Sequence, residues 1–461
     1  MNRFSQRFSK EIPVILRLVA PIVVAQLTIT GMSFVDTIMA GQVSPTDLAA
    51  VAVAASFMNP VILFIQGILM AVTPLVAYQI GAKRSESAAP LVQQALYISL
   101  FLAAVAWVLL YLSPQVFDMM DVDDSLVMLT SRYLVFVSFG LPAFASYQVL
   151  RGLNEATSNI KVIMLIGVAG LALNVPVNYA FINGVGPLPA YGGAGCGIAT
   201  AICNWFMLLV MVVYLKRSSK MARFALFSTL HPLDWASVKR IFSLGLPIGG
   251  AIFCEVTLFS MIALLLSPLG ANIVAAHQIA LNFTSMVFML PLSIGIALTI
   301  RVGHHMGAKN YPDAQAASYS GLIVATAISV ITAAITVIFR YEIIAWYTDN
   351  MAVAAIAAPL FILAAPYQFS DAMQVCCGGA LRGYQDTRFV FAVTLVSFWP
   401  IGLGIGSVLT FKDWITEQPL GVEGFWWAMV LALTTCAIGL FSRLVWASNN
   451  PLRLKLVSHH E

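Results

Sequence analysis

The chain has 461 residues, of which 60% are hydrophobic and only 10% charged, and its mean hydropathy is +0.88. A soluble core cannot enclose that much apolar surface, so the composition excludes a soluble enzyme or binding module and indicates a protein with several membrane spans. The net charge of +4 does not argue for a nucleic-acid partner, because the basic residues follow the membrane topology described below.

Twelve apolar segments follow one another along the chain, and most reach the roughly 20 residues needed to cross a bilayer. They lie at 14–40, 48–80, 89–112, 131–150, 162–183, 194–215, 241–266, 272–303, 314–338, 353–381, 389–410 and 424–445. The first segment has no small-residue cleavage pattern before it, so we expect it to remain as a helix. The predicted fold class is an all-α polytopic membrane protein with twelve transmembrane helices.

Lys and Arg residues concentrate in the connections on one side of the membrane, and the acidic residues of the loops favour the other side. The basic side includes the N-terminal stretch, the connection around Lys216, and Arg443 near the C-terminus. Because cytoplasmic loops carry the excess of Lys and Arg, we expect both termini in the cytoplasm. Arg151 and Arg382 open two connections on this side, where we expect them to anchor at lipid headgroups.

The sequence repeats itself. A shift of 226 positions aligns 21–83 with 247–309 without a gap. The matched motifs are Gly81-Ala82-Lys83 with Gly307-Ala308-Lys309 and, at a shift of 231, Leu150-Arg151-Gly152 with Leu381-Arg382-Gly383. Two matches at nearly the same shift indicate a duplication of a six-span unit.

An even number of spans in each repeat inserts both repeats the same way up, so the halves are expected to be related by a pseudo-two-fold axis along the membrane normal. We predict an N-terminal six-helix lobe at 1–225 and a C-terminal six-helix lobe at 226–461. Such an architecture is typical of transporters that hold substrate between the repeats and rock one lobe against the other. A monomer is expected, because the cleft lies between two lobes of one chain.

Three of the 20 acidic residues, Asp36, Glu255 and Asp371, lie inside long apolar segments. A carboxylate in hydrocarbon is costly unless it faces a partner, a cavity or an ion, so each of the three is a candidate functional residue. Asp36 and Glu255 lie on the first helices of the two repeats. When the repeats are aligned, their positions differ by seven residues, which is about 10 Å in height on nearly the same face. The alternative for any one of them is a structural hydrogen bond to a neighbouring helix.

Oxygen ligands surround the C-terminal acids. Tyr367 precedes Asp371 by four residues on the same helix face, and Pro366 leaves a nearby backbone carbonyl without a helical donor. Two carboxylates, a phenol and a free carbonyl suit sodium, or a proton when one acid is protonated. We therefore predict a cation site formed by Glu255, Asp371 and Tyr367. No other cofactor is expected.

Other polar residues within the spans have two interpretations each. Asn174 and Asn178 recur at i, i+4 across Pro176 and would hydrogen-bond Asp36 if their helix packs beside the first, although amides also join membrane helices. His277 either packs in the core or relays protons. The six cysteines lack the spacing of metal ligands and are interpreted as small core residues.

The pattern resembles the multidrug and toxic compound extrusion family, most closely its NorM branch from Gram-negative bacteria. The resemblance covers essentially the whole chain and depends on the first span from Pro21 to Asp36, the Gly-Ala-Lys and Leu-Arg-Gly pairs, and Glu255 with Asp371. It implies a multidrug efflux antiporter rather than an enzyme, in a bacterial inner membrane, which exports amphipathic cationic drugs and dyes in exchange for sodium or protons.

The resemblance also maps the family's cation site onto Glu255, Asp371 and Tyr367, and its N-terminal acid onto Asp36 with Asn174 and Asn178. It leaves open which lobe couples transport to the ion. One alternative is a lipid-linked oligosaccharide flippase of the same superfamily, which needs basic residues deep in its spans. Another is an integral membrane transferase, which needs a His/Asp or Ser/His constellation at a helix end.

Overall fold

The computed structural model describes residues 3–112, 124–222, 224, 226–415 and 417–452, and within these ranges the regular structure is entirely helical. The first half comprises α1 (Arg3–Val43), α2 (Pro45–Leu69), α3 (Val72–Gly81), α4 (Ala88–Tyr111), α5 (Asp124–Ser138), α6 (Leu141–Ala156), α7 (Ile160–Asn183), α8 (Gly195–Arg217) and the short α9 (Ser219–Ala222).

The second half comprises α10 (Trp235–Leu266), α11 (Ala271–Gly307), α12 (Tyr311–Ile338), the short α13 (Arg340–Ala345), α14 (Met351–Gly383), α15 (Thr387–Val396), α16 (Gly406–Phe411) and α17 (Val422–Asn449). A π-helical segment, Ser397–Ile405, joins α15 to α16 and contains Pro400. Short 3₁₀ turns lie at Ser85–Ser87, Gly192–Ala194 and Ser267–Leu269.

The described ranges contain eleven helical stretches long and apolar enough to cross a membrane, or up to twelve spans when one bent pair is counted. That pair is Leu126–Ser138 with Leu141–Ala156, bent by 46° at the break. Pro142 lies at the start of α6 and cannot donate the backbone hydrogen bond that would continue α5 into it. The predicted all-α fold with twelve spans is confirmed, and its fourth span is broken.

Both copies of the Gly-Ala-Lys motif end a helix in the same way. Lys83 and Lys309 adopt left-handed φ values of 59° and 58°. The next amide donates back into the helix in each case, from Arg84 to Gln79 O and from Asn310 to His305 O, both at 2.9 Å. This is a helix-ending turn that glycine or asparagine usually supplies. The shared backbone geometry agrees with the duplication inferred from the sequence.

Contacts divide the chain into two compact units. One is Pro21–Gly249, and the other joins Met1–Ala20 to Gly250–Glu461. Both divisions fall inside the first helix of a repeat, α1 and α10. In the second unit the long helix α14 packs against α11, α12 and α17. These units are defined by contacts, whereas the predicted lobes, 1–225 and 226–461, are bodies that would move against each other. The predicted boundary between the lobes stays a prediction.

The headgroup anchoring expected for Arg151 is wrong. Its side chain is buried, and its Nε donates to Glu155 Oε1 at 2.8 Å while its Nη2 donates to Gln26 Oε1 at 2.6 Å. Thr73 donates to the other Glu155 oxygen at 3.0 Å. A guanidinium with a carboxylate partner in an apolar interior is stabilised there by charge-assisted hydrogen bonds, so it does not need the membrane surface.

Candidate functional site

Asp36 lies on α1 within the unit Pro21–Gly249 and is almost fully buried. Its Oδ1 accepts hydrogen bonds from Asn178 Nδ2 at 2.6 Å and Asn174 Nδ2 at 3.1 Å. Its Oδ2 accepts a third from Thr200 Oγ1 at 2.8 Å. The hydrogen bonds predicted for the asparagine pair are therefore present, while Thr200 was not foreseen from the sequence.

The local sequence explains how these donors are held. Asn174 and Asn178 lie one turn apart on α7, and Asn178 Nδ2 also contacts Asn174 Oδ1 at 3.1 Å. Thr200 follows Cys196 by one turn on α8, and the Cys196 thiol approaches the Asp36 carbonyl oxygen at 3.6 Å. A buried charge is tolerated when such donors replace its water. The only signal for Thr200 in the sequence was a hydroxyl side chain one turn after the small residue Cys196 within an apolar span.

The C-terminal candidates lie together in the second unit. Glu255 is on α10, and Tyr367 and Asp371 are one turn apart on α14. Tyr367 and Asp371 are buried and Glu255 is half-buried. The two carboxylates are close enough to repel each other, and both act electrostatically on the Tyr367 phenol. The structure thus brings the three residues of the predicted cation site together, and their role in binding a cation stays a prediction.

The two acidic sites differ in their hydrogen bonding. Asp36 has three side-chain donors, whereas within the described ranges neither Glu255 nor Asp371 accepts a hydrogen bond from the protein. Two neighbouring carboxylates without hydrogen-bond donors in an apolar interior are stabilised when a cation or a proton binds. Hard carboxylate and phenol oxygens fit sodium as well as a proton, so the donor set is consistent with either ion.

Aromatic residues adjoin Tyr367. Its ring centroid lies 5.7 Å from that of Trp426, and the Trp426 indole donates from Nε1 to His277 Nδ1 at 3.2 Å. Because the indole is only a donor, Nδ1 is the acceptor and the imidazole proton is on Nε2. That Nε2 is buried and has no partner among the described residues. A proton-relay role for His277 stays a prediction.

Arg382 differs from its repeat counterpart Arg151. Arg151 pairs with the acid four residues after it, but the acid four residues after Arg382, Asp386, accepts its hydrogen bond from Arg443 Nε at 2.6 Å. The Arg382 Nε is buried and unpartnered in the described part of the chain, and its charge interacts with Glu255. The expected headgroup anchoring therefore does not describe Arg382 either, because its guanidinium is directed into the protein.

Comparisons with known proteins agree with this architecture. The model of the MatE family matches residues 21–180 and again residues 247–408. A probable multidrug resistance protein NorM from Shewanella oneidensis is 45% identical over 450 residues, covering 97% of this chain and 98% of the relative. A multidrug resistance protein NorM from Vibrio cholerae is 43% identical over 440 residues, covering 95% and 96%.

The fold is also found among solved structures. The crystal structure of the eukaryotic MATE transporter AtDTX14 superposes with a TM-score of 0.87 at 18% identity, covering 97% of this chain and 99% of that one. The two starts of the family match lie 226 residues apart (247 − 21), as the internal repeat does. The match to both repeats and the identity to relatives over nearly their full length show that the chain belongs to the MatE (MATE) family, in which it is NorM-like.

Proposed function

We propose that the protein is a secondary active antiporter that exports amphipathic, cationic drugs and dyes across the bacterial inner membrane in exchange for sodium or protons. The relatives named multidrug resistance proteins support the substrate class. The observation that carries the ion coupling is the pair Glu255 and Asp371, which share one apolar interior without a protein donor. We place both termini in the cytoplasm and expect a monomer that acts without a further cofactor.

The mechanism we propose is competition between ion and drug. In the outward-facing state, a cation bound at Glu255 and Asp371 disfavours bound drug and promotes its release, and the ion-loaded protein then returns inward by a rocking movement of its lobes. A ligand shifts such an equilibrium only by its difference in affinity for the two states. The two neighbouring carboxylates provide that difference, because they favour whichever state admits the ion.

Efflux of a fluorescent cationic dye from proteoliposomes tests this proposal, with a sodium gradient and a proton gradient imposed separately. We expect the driving gradient to lose its effect in Asp371→Asn and in Glu255→Gln, because each change removes one of the two charges that hold the ion. A matched control is Asp313→Asn, which changes a carboxylate with an exposed ion pair to Arg7 at 3.3 Å.

The outcomes separate the components of the proposal. Transport by Asp371→Asn at the wild-type rate would show that the competition mechanism is wrong. Proton-driven transport that persists in both C-terminal variants would move the coupling to Asp36. An absence of dye transport by the wild-type protein under either gradient would contradict the antiporter itself.

A further inference from the structure

The connection between the two repeats is bound to the side of α4 through its backbone. Gln93 Nε2 donates to Leu226 O and to Thr229 O, both at 2.7 Å. Gln93 Oε1 accepts from the His231 amide at 2.9 Å. We call residues 226–235 the linker strap. The nitrogen and the oxygen of one side-chain amide are therefore both used on the strap.

The next residue of α4 repeats this arrangement. Gln94 Nε2 donates to Pro232 O at 2.9 Å, and Gln94 Oε1 accepts from the Asp234 amide at 3.0 Å. The Tyr97 hydroxyl donates to His231 O at 3.0 Å. Both glutamines are buried. Buried amides that pair fully with backbone groups give the strap a defined position against α4.

The attachment to α4 sets the depth of the strap. The helix begins at Ala88 and belongs to a stretch that is long and apolar enough to cross the membrane. Gln94 lies six residues after Ala88, about 9 Å along the helix, and helical side chains point back toward the N-terminus. The polar interface on each side of the hydrocarbon core is roughly 5–8 Å thick. The strap therefore lies at the level of the membrane interface.

Large apolar side chains of the strap point away from the protein. The exposed fractions are 44% for Phe227, 87% for Leu230, 50% for Leu233 and 73% for Trp235. At the depth that α4 sets, these side chains meet the boundary between headgroups and acyl chains. Trp, Phe and Leu are stabilised at that boundary, so the exposed edge of the strap fits a lipid surface.

The chain around the strap is basic. Residues 216–240 include six Lys and Arg residues and one acidic residue, Asp234. The Asp234 carboxylate accepts from two amides in the first turn of α10, both at 3.1 Å, so its charge caps that helix. Lys216 Nζ lies 5.4 Å from the centroid of the Phe227 ring, which places a cation next to the apolar edge.

An apolar edge at the interface with cations around it is complementary to anionic phospholipid. We propose that the linker strap is an anchor in the cytoplasmic leaflet. Leu230 and Trp235 insert among the acyl chains, while Lys216 and its basic neighbours bind the phosphate groups of an anionic lipid such as phosphatidylglycerol. The anchor ties the connection between the repeats to the membrane surface as well as to α4. It is independent of the transported substrate and of the coupling ion.

Quenching of tryptophan fluorescence by lipids brominated on their acyl chains tests the anchor. The full-length protein is placed in vesicles of phosphatidylcholine and phosphatidylglycerol, with bromine on one lipid or on the other. The signal of Trp235 is the difference between the wild type and Trp235→Phe, an exchange that keeps an aromatic ring at this exposed position. We expect Trp235 to be quenched, and more strongly by brominated phosphatidylglycerol than by brominated phosphatidylcholine at the same content.

Removal of charge separates the two lipids. Lys216→Gln with Lys239→Gln, each measured with and without Trp235→Phe, should weaken the preference for phosphatidylglycerol by roughly fivefold per charge, since a basic residue near an anionic surface is worth about 1 kcal/mol. Quenching by brominated phosphatidylcholine should persist. The matched control is Lys309→Gln, which removes an exposed positive charge from the turn after α11 and should keep the preference.

Three outcomes would contradict the proposal. If neither lipid quenches Trp235, the edge does not enter the membrane, the anchor is wrong, and the apolar side chains are left to a soluble partner. Equal quenching by the two lipids in the wild type would overturn the selectivity for anionic lipid. An equal loss of preference in Lys309→Gln would overturn the assignment to the linker, because the net charge of the protein would then account for it.

Discussion

Buried carboxylates of this protein fall into two kinds that differ in their neighbours. Asp36 accepts three hydrogen bonds from side chains on α7 and α8. Asp371 accepts no hydrogen bond within the described ranges and lies close to the like-charged Glu255. Donor hydrogen bonds replace the water lost on burial in the first arrangement, and in the second a bound cation or proton would have to do so.

Thr200 provides a test of the donor shell around Asp36. Thr200→Val keeps the shape but removes the hydroxyl that donates to Oδ2, so we expect a loss of about 1.5–3 kcal/mol, the range for a hydrogen bond to a charged group. The measurement is the midpoint of thermal unfolding in detergent. Thr200→Ser retains the hydroxyl and should unfold near the wild-type midpoint. Equal midpoints for the valine variant and the wild type would contradict a donor role.

Helix pairing in the second unit depends on glycines. A Cβ at Gly379 on α14 would lie 2.6 Å from Gly295 Cα on α11 and still closer to the Gly295 carbonyl oxygen. Thr299 Oγ1 shares its hydrogen between Gly295 O at 3.0 Å and Gly379 O at 2.8 Å. Small residues allow two membrane helices this close an approach. The contact sets the position of α14, and with it the positions of Tyr367 and Asp371.

Adjacent glycines on α14 allow a matched prediction. Gly379→Ala should destabilise the protein by about 1–3 kcal/mol, because the new methyl group would force α11 and α14 apart. In Gly378→Ala the nearest side-chain atoms would be at ordinary distances of 3.8 and 4.0 Å. We expect that control to be neutral or more stable by up to about 1 kcal/mol, since alanine is the better helix former. Unfolding midpoints in detergent that rank the two variants the other way would contradict the proposed close packing.

The N-terminal part of α1 belongs with the unit of the second repeat rather than with its own. Arg301 donates to both Glu11 oxygens, at 3.0 and 2.7 Å, and His305 Nε2 lies 3.0 Å from Glu11 Oε1. Glu11 is 7% exposed, so this pairing is largely shielded from water. The ion pair therefore joins parts of the chain 290 residues apart.

The Glu11 pairing should contribute strongly to stability. Glu11→Gln leaves Arg301 without its carboxylate in a shielded position, and we expect a loss on the order of 3 kcal/mol. The exposed pair of Arg7 with Asp313 is the internal comparison, and Asp313→Asn should cost less than about 1 kcal/mol. Both are read from unfolding midpoints in detergent. Similar losses for the two variants would show that the burial of Glu11 has no energetic consequence.

The sequence by itself determined the number of spans, the duplication and the three intramembrane acids. Hydropathy and self-similarity are properties of the linear chain, and a charge in an apolar run is visible without any coordinates. The asparagine pair on α7 was also identified, because i, i+4 spacing places Asn174 and Asn178 on one face whatever the helix packs against. The grouping of Tyr367 with Asp371 followed from the same local geometry.

Only the tertiary structure decided which helix faces meet. It placed Thr200 on Asp36, turned Arg382 inward and joined the start of α1 to the second unit. Each of these depends on the rotation of one helix against another that is distant in the sequence. In a membrane protein the lipid-facing and core-facing surfaces are both apolar, so hydropathy carries little information about that rotation, which close packing determines instead.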